Sequence, residues 1–440
     1  MVYDICYIGG GLNYGGALIA SKKGMRVALI EKDMNELGGA CLHQGCIPSK
    51  MFLHYTQTVL QSKDAIFNGS ISLKMDILQN KKEDLLKNST KAIKSQCKNI
   101  DLIEGEGKVI SPNKVEVNKR IIEAKYIVIG TGSHPFIPEG IEYDKENIIV
   151  SDQVLNMKEL PDSIAIYGSG AISLEMSSFF ASLGVDTTLI YRGDTILKKA
   201  HPKLSLATQK MLDSIGVKRL SSHPIKVAKD KKNKVEISFE DNSSMSTSKL
   251  LVATGRFANV DVIACDDIEV DKRGIVTDEW FETSSKNHFA IGDCNGKLQL
   301  AHAARAEVLN VTNKILKNEI EKIDLDNIVK FIHTLPMSYA TVGKTKYLLE
   351  KEKIPYKESF VSFIEYPYAY YNDASNGGVV IYANEDGFIL GAEILSPHAE
   401  ELIAIVAMAI ATESDANLAK KTILAHPTFS EAVEKSFYRI

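Results

Sequence analysis

Two cysteines, Cys41 and Cys46, enclose Leu-His-Gln-Gly between the glycine pair Gly38-Gly39 and the run Ile47-Pro48-Ser49-Lys50. Thiols placed there, inside what reads as a nucleotide-binding unit, suggest a disulfide that trades electrons with a bound cofactor. An ideal helix holds Cα atoms five residues apart at roughly 8–9 Å, beyond the ~7 Å reach of a disulfide. Pairing therefore requires a distorted turn, and Gly45 is the residue that lets the backbone bend. His43 between the thiols raises the alternative of a metal site. No second Cys/His cluster supplies the remaining ligands, so no metal is expected.

The elements around the pair read as a βαβ unit. Residues 3–9 form an apolar strand, Gly9-Gly10-Gly11 turns it, Ala17 to Lys23 has a helical pattern, and Arg26 to Glu31 is a second strand ending in an acid. Glu31 follows Gly11 by twenty residues, the offset at which a carboxylate meets a ribose hydroxyl, while Gly9 and Gly11 let a pyrophosphate approach the helix. The third glycine of the fingerprint is missing: Tyr14 stands there, and the next glycine is Gly15. The unit recurs. Ser163 to Tyr167 is a second apolar strand, followed by Gly168-Ser-Gly170-Ala-Ile-Ser173-Leu-Glu175, a helix to Leu183, and another strand, Asp186 to Tyr191. Two such sites imply two different dinucleotides. No carboxylate ends the last strand; Arg192 follows, with Lys198 six residues on, and positive charge at that place favours a 2′-phosphate, hence NADP over NAD.

At 440 residues, 45% hydrophobic and 25% charged, the chain is long enough for about three domains. A net charge of −4 recommends neither nucleic acid nor an anionic membrane as a partner. The start lacks a signal-peptide pattern, and the longest apolar run, Leu402 to Ala411, is too short to span a bilayer, so a cytoplasmic protein is expected. Six cysteines at positions 6, 41, 46, 97, 265 and 294 do not form a secreted disulfide framework. Met51 to Lys98 is polar and helically periodic, strands follow through 102–129, and Leu250 to Arg256 and His288 to Asp293 are further apolar strands ending in glycine motifs. From about Ile328 a different module begins, with strands near 339–343 and 378–395, a helix over 400–412 and a terminal helix. The first domain is discontinuous, with the second inserted in it.

Taken together, these motifs resemble the class I pyridine nucleotide-disulfide oxidoreductases, and among them dihydrolipoamide dehydrogenase. The likeness runs through Gly38-Gly-Ala-Cys41-Leu-His-Gln-Gly-Cys46-Ile-Pro-Ser-Lys50, Gly130-Thr-Gly-Ser, Gly168-x-Gly170 with Glu175, Ala253-Thr-Gly-Arg256, Ala290-Ile-Gly-Asp293, Leu300-Ala-His302 and Ala425-His426-Pro427-Thr-Phe-Ser-Glu431. The resemblance implies an α/β chain with two Rossmann-like dinucleotide-binding domains, for FAD over 1–148 and 272–327 and for NAD(P) over 149–271. An α+β dimerisation domain over 328–440 would complete a homodimer with a shared active site. By the same resemblance, FAD lies on Gly9, Gly11 and Glu31, near Thr131 and Gly132, with Asp293 on its ribityl chain; the nicotinamide nucleotide takes Gly168, Gly170, Arg192 and Lys198. Cys46 faces the flavin and Cys41 exchanges with substrate. Lys50, paired with Glu175, steadies the reduced flavin. His426 from the partner subunit, oriented by Glu431, moves the thiol proton.

Some residues depart from the family pattern. Thr428-Phe-Ser-Glu431 also reads as a capping box, and one carboxylate is not expected to cap a helix and orient His426 at once. Ala171 stands where glutathione reductases carry a tyrosine lid, the chain ends Ser-Phe-Tyr-Arg-Ile440 without the cysteine pair of mercuric reductases, and Tyr370-Tyr-Asn-Asp373 replaces an asparagine–basic segment. The resemblance therefore implies an NAD(P)H:disulfide oxidoreductase acting on a small dithiol or disulfide, most like dihydrolipoamide dehydrogenase. The alternatives are an NADPH-dependent reductase of another small disulfide or a quinone, and a flavin redox sensor without turnover.

Overall fold

The computed structural model describes residues 2–231 and 234–440. It divides into two compact units, Met1–Ser49 with Asp76–Phe136 and Gly255–Leu325, and Lys50–Met75 with Ile137–Thr254 and Asp326–Ile440.

The first unit is built on a parallel sheet in which Val2–Ile8 lies between Val27–Glu31 and Arg120–Ile129. Asp101–Glu104 extends it on one side and His288–Ala290 on the other. The strands read as continuous apolar runs because both faces are covered. Tyr7, Leu29, Val128 and Phe289 bury one face with Val308, while Cys6, Ile8, Ala28 and Ile129 bury the other. The Tyr7 hydroxyl shares a buried 2.9 Å hydrogen bond with Thr312 on the helix Ala301–Ile315, which satisfies a polar group inside the core. A hairpin, Lys108–Ser111 and Lys114–Val117, pairs antiparallel with Arg120–Ile129.

The helical stretch expected over Met51 to Lys98 consists of two helices, Cys46–Gln61 and Met75–Gln96. The first begins earlier than periodicity suggests, since Pro48 falls in its first turn, where a missing N–H costs no hydrogen bond.

In the second unit a parallel sheet runs in the order Lys218–Ser221, Asp186–Tyr191, Ser163–Tyr167, Lys249–Val252, Ile148–Ile149. The helix Ala171–Ser182 is buried from Ser173 onward, consistent with a sequence that is apolar or small all round. A three-stranded antiparallel sheet, Ile225–Asp230, Val235–Phe239 and Ser244–Thr247, was not anticipated, although Val235, Ile237 and Phe239 of its middle strand alternate with polar residues as a strand with one buried face should. The carboxy-terminal module is a five-stranded antiparallel sheet in the order Lys330–Ile332, Ser338–Gly343, Ile389–Ser396, Gly378–Ala383, Lys357–Ser362, with the helices Ala399–Ala411 and Ser430–Tyr438. The strand expected over 378–395 is thus a hairpin, turned at Gly387, whose φ is +88°. The fold is α/β with two Rossmann-like sheets and an α+β module, as the sequence implied. Among the described residues, no helix is long and apolar enough to cross a membrane.

Candidate functional site

In the first unit the glycine loop is shaped by contacts that exclude a side chain. A Cβ on Gly9, whose φ is +93°, would stand 2.3 Å from the Gly130 carbonyl oxygen, and one on Gly39 would stand 2.6 Å from the Gly11 Cα. The close approach falls instead to Gly16, which lets its helix pack against the helix Ala301–Ile315: a Cβ there would meet Thr312 Oγ1 at 2.5 Å, whereas Gly15 has open space. The helix Asn13–Lys22 starts without a side-chain cap and without an acid in its first turn, so its leading N–H groups remain available to an anion. At the strand end, Glu31 accepts hydrogen bonds from the amides of Gly10 at 2.5 Å and Lys32 at 2.7 Å. Burial raises its carboxyl above the ordinary range, against the pull of these amides.

Thr131 and Asn259 exchange side-chain-to-carbonyl bonds of 2.7 and 2.8 Å, and Gly132 beside them has a φ of +71°. Asp293 accepts from Ser133 Oγ at 2.5 Å, and Arg256 donates to that same Oγ at 2.8 Å. Glu307, a fully buried acid absent from the sequence expectations, accepts from the Gly292 amide at 2.7 Å and Asn295 Nδ2 at 2.9 Å, with burial raising its carboxyl. It props the turn that carries Asp293. Its signal was a charge on the buried face of Ala301–Ile315, between Ala304 and Val308. A cradle that a Cβ would fill, an uncapped helix start and a carboxylate at the next strand end together fit the pyrophosphate and ribose of FAD.

The turn between the two cysteines follows. The helix Gly39–His43 stops at Gln44, and the helix Cys46–Gln61 starts two residues later. Cys41 is half-buried and Cys46 exposed. Gly45 does not adopt a left-handed φ; a Cβ on it would lie 3.0 Å from the Ala40 carbonyl oxygen and 3.4 Å from the Cys41 Cα. The glycine therefore serves close approach rather than an unusual dihedral. His43 Nε2 is engaged 3.2 Å from both the Leu37 carbonyl and Thr90 Oγ1. Among the described residues no group of three or more His, Cys, Asp or Glu could hold a metal ion.

In the second unit, Gly168 has a φ of +143°, and a Cβ there would stand 2.2 Å from the Ala253 carbonyl oxygen; Gly170 faces open space. Ser173 Oγ donates to the Gly170 carbonyl at 2.9 Å, locking the start of an uncapped helix. Arg192 and Lys198 are exposed beyond Tyr191, and Lys198 stands 3.9 Å from Asp194 with both side chains 76% exposed, a pair too solvated to hold the lysine. Lys50 Nζ lies 2.5 Å from Glu175 Oε1, which also accepts from the His333 amide at 2.9 Å. His426 is 82% exposed, with Nδ1 2.8 Å from Glu431 Oε1. Glu431 Oε2 accepts from the Thr428 amide at 2.9 Å, but Thr428 precedes the N-cap Phe429, which has no side-chain cap, so the expected capping box does not form. Burial raises the Glu431 carboxyl; the bonds from His426 and Thr428 outweigh it and bring it below its usual range.

A family model described as pyridine nucleotide-disulphide oxidoreductase matches residues 3–307, and one for the dimerisation domain of the same oxidoreductases matches residues 328–437. The chain belongs to this family. Pyridine nucleotide-disulphide oxidoreductases use FAD and NAD(P)H. The chain is 31% identical over 450 residues to dihydrolipoyl dehydrogenase of Chlamydia trachomatis, covering 99% of this chain and 96% of that one. It is also 31% identical over 472 residues to the chloroplastic dihydrolipoyl dehydrogenase 2 of Arabidopsis thaliana, covering 99% and 82%. LpdA from Mycobacterium tuberculosis shares the fold with a TM-score of 0.90 at 21% identity, over 99% of both chains.

For a pyridine nucleotide-disulphide oxidoreductase, then, many of the predicted residues fall into four built groups. Gly9, Gly11 and Glu31 surround one loop, Asp293 is tied to the segment after Thr131-Gly132 through Ser133, and Lys50 is paired with Glu175 as His426 is with Glu431. Cys46 and Lys50 sit one turn apart on a single helix.

Proposed function

We propose that the protein is an FAD-dependent NAD(P)H:disulfide oxidoreductase of the dihydrolipoyl dehydrogenase type, in which the Cys41–Cys46 pair carries electrons between the flavin and a small dithiol or disulfide. The observation that supports it most is the turn between the two cysteines: Gly45 lies where a side chain would crowd the Cys41 backbone, and Lys50, one helical turn beyond Cys46, is paired with Glu175. Gly9, Gly11, Glu31, Thr131, Gly132 and Asp293 would hold FAD, which when bound supplies a two-electron relay to the nicotinamide. Gly168, Gly170, Arg192 and Lys198 would hold the nucleotide.

The chain's own residues account for the thiol chemistry. The Cys41 thiolate attacks a substrate disulfide, a mixed disulfide forms and the first substrate thiol leaves. The Cys46 thiolate then attacks Cys41 Sγ, the second thiol leaves and the Cys41–Cys46 bond forms. A thiolate at Cys46 meets the partial positive charge of the helix it begins. His426, held through Nδ1 by Glu431, presents Nε2 to give each leaving thiolate its proton and to take one in the reverse direction. In this reading His426 comes from a second copy, for which the dimerisation domain and the exposed Met408, Leu418 and Ile423 supply an apolar face. The setting would be the cytoplasm, with no metal, membrane or nucleic acid taking part.

Arg192 and the lack of a carboxylate after Tyr191 favour NADPH, and with Tyr370-Tyr371 in place of a basic segment they support a second reading, an NADPH-dependent reductase of another small disulfide or a quinone. A panel of disulfides, quinones and metal ions assayed with both nucleotides separates the two. Fastest turnover with lipoamide supports the first, and its absence beside rapid NADPH-driven reduction of another acceptor supports the second.

A further inference from the structure

Glu175 is 6% exposed, and a carboxylate so buried needs every hydrogen bond it can find. One of its oxygens takes two donors, Lys50 Nζ and the backbone amide of His333. Lys50 Nζ also lies 5.3 Å from the centre of the Phe331 ring, so the end of the strand Lys330–Ile332 fixes both members of the pair. What fixes that strand end is the next link. The His333 ring places Nδ1 3.4 Å from Glu400 Oε1, and both side chains are mostly buried, 22% and 17% exposed. Thr334 beside it is buried, its hydroxyl donating to the Met337 carbonyl at 2.6 Å, which closes the turn on the far side.

We infer that His333 and Glu400 are positioning residues for the Lys50–Glu175 pair, and that through it they set how fast the enzyme accepts hydride from its nicotinamide nucleotide. This inference rests on the flavin-dependent activity proposed above. Glu400 stands in the first turn of Ala399–Ala411, where the helix favours its negative charge. Burial raises its carboxyl, but the hydrogen bond and charge of His333 prevail and bring it down to about 2, so it is ionised whenever the enzyme works. His398 Nδ1 also stands 3.8 Å from Glu400 Oε1, but its side chain is 81% exposed, a solvated contact that holds little. An ionised Glu400 thus grips His333, His333 gives its amide to Glu175, and Glu175 aims Lys50. The hydride carries two electrons from NAD(P)H to bound FAD and leaves NAD(P)+; the negative charge that this puts on the flavin is what a well-aimed Lys50 offsets.

The test uses the FAD-loaded enzyme and three forms, wild type, E400Q and E400D. Anaerobic stopped-flow reduction should show the saturating rate of flavin bleaching by NADPH or NADH falling roughly tenfold in E400Q, at an unchanged half-saturating nucleotide concentration. The flavin midpoint potential should fall as well, and E400D should recover most of both. Flavin content and thermal unfolding compared across the three separate this from misfolding. E400Q that bleaches at the wild-type rate with an unchanged potential overturns the inference alone. Equal losses in E400Q and E400D, accompanied by loss of flavin, also overturn it, since that pattern belongs to a structural role. Wild-type flavin untouched by either nucleotide brings down the underlying reading and this inference with it.

Discussion

The proposed function gives the two cysteines different work, Cys46 toward the flavin and Cys41 toward the substrate. Cys41 is half-buried on a short helix that ends at His43, while Cys46 is exposed at the start of the helix that carries Lys50. C41S should therefore keep the long-wavelength absorbance of a thiolate beside flavin and lose disulfide turnover, whereas C46S should lose the band; absorption spectra after reduction check both, and the reverse pattern would exchange the roles. His426 is bonded to one carboxylate oxygen of Glu431 while the other accepts from the Thr428 amide. At the second nucleotide site, R192A should raise KM for NADPH by roughly tenfold or more while barely moving that for NADH, as loss of a charge-assisted contact to a 2′-phosphate would. Equal changes in steady-state assays would remove the 2′-phosphate argument.

Elements decide what these residues can reach. G39A would force a side chain onto a backbone with φ of +71° and push its Cβ to 2.6 Å from Gly11. A cost of about 1–3 kcal/mol and weakened flavin retention are expected, measured by thermal unfolding and by the flavin released on dilution; unchanged retention would mean the two loops move apart freely. The Glu400–His333 pair adds a pH signature. A carboxyl brought from 4.5 down to about 2 contributes stability that is complete above 4.5 and is lost as pH falls toward 2. The stability gap between wild type and E400Q should therefore close across that window in denaturant titrations, and a gap constant with pH would deny the ion pair. Both βαβ units were legible because their strands are continuous apolar runs broken by glycine, and Ser163–Tyr167 and Asp186–Tyr191 match the reading residue for residue. Gly16 was not, since its contact with Thr312 joins residues almost three hundred apart. His333 escaped for a related reason: its contribution to Glu175 is a backbone amide, which carries no side-chain signal. Short strands such as Lys330–Ile332 and Lys357–Ser362 hold their place by pairing with neighbours rather than by local pattern.

For the whole molecule, the proposal divides one site between two copies of the chain. Co-expressed C41S and H426A chains, each inactive alone, should regain about a quarter of wild-type turnover, because random pairing gives half mixed dimers and each mixed dimer has one intact site. Activity no higher than either parent would place His426 and the thiols in the same copy. The long helix Ala399–Ala411, buried through Ile403 and Val406 yet exposing Met408, is an element with two faces to cover, in keeping with the family's dimerisation domain. All of this depends on electrons passing from nucleotide to thiols across a flavin. Anaerobic mixing of the purified protein with NADPH and NADH, followed through the visible spectrum, is the sharpest test. Rapid bleaching by at least one nucleotide, a long-wavelength band that persists in the two-electron-reduced form, and its discharge by lipoamide or another small disulfide are expected; a colourless protein, or flavin that neither nucleotide reduces, would overturn the proposed function.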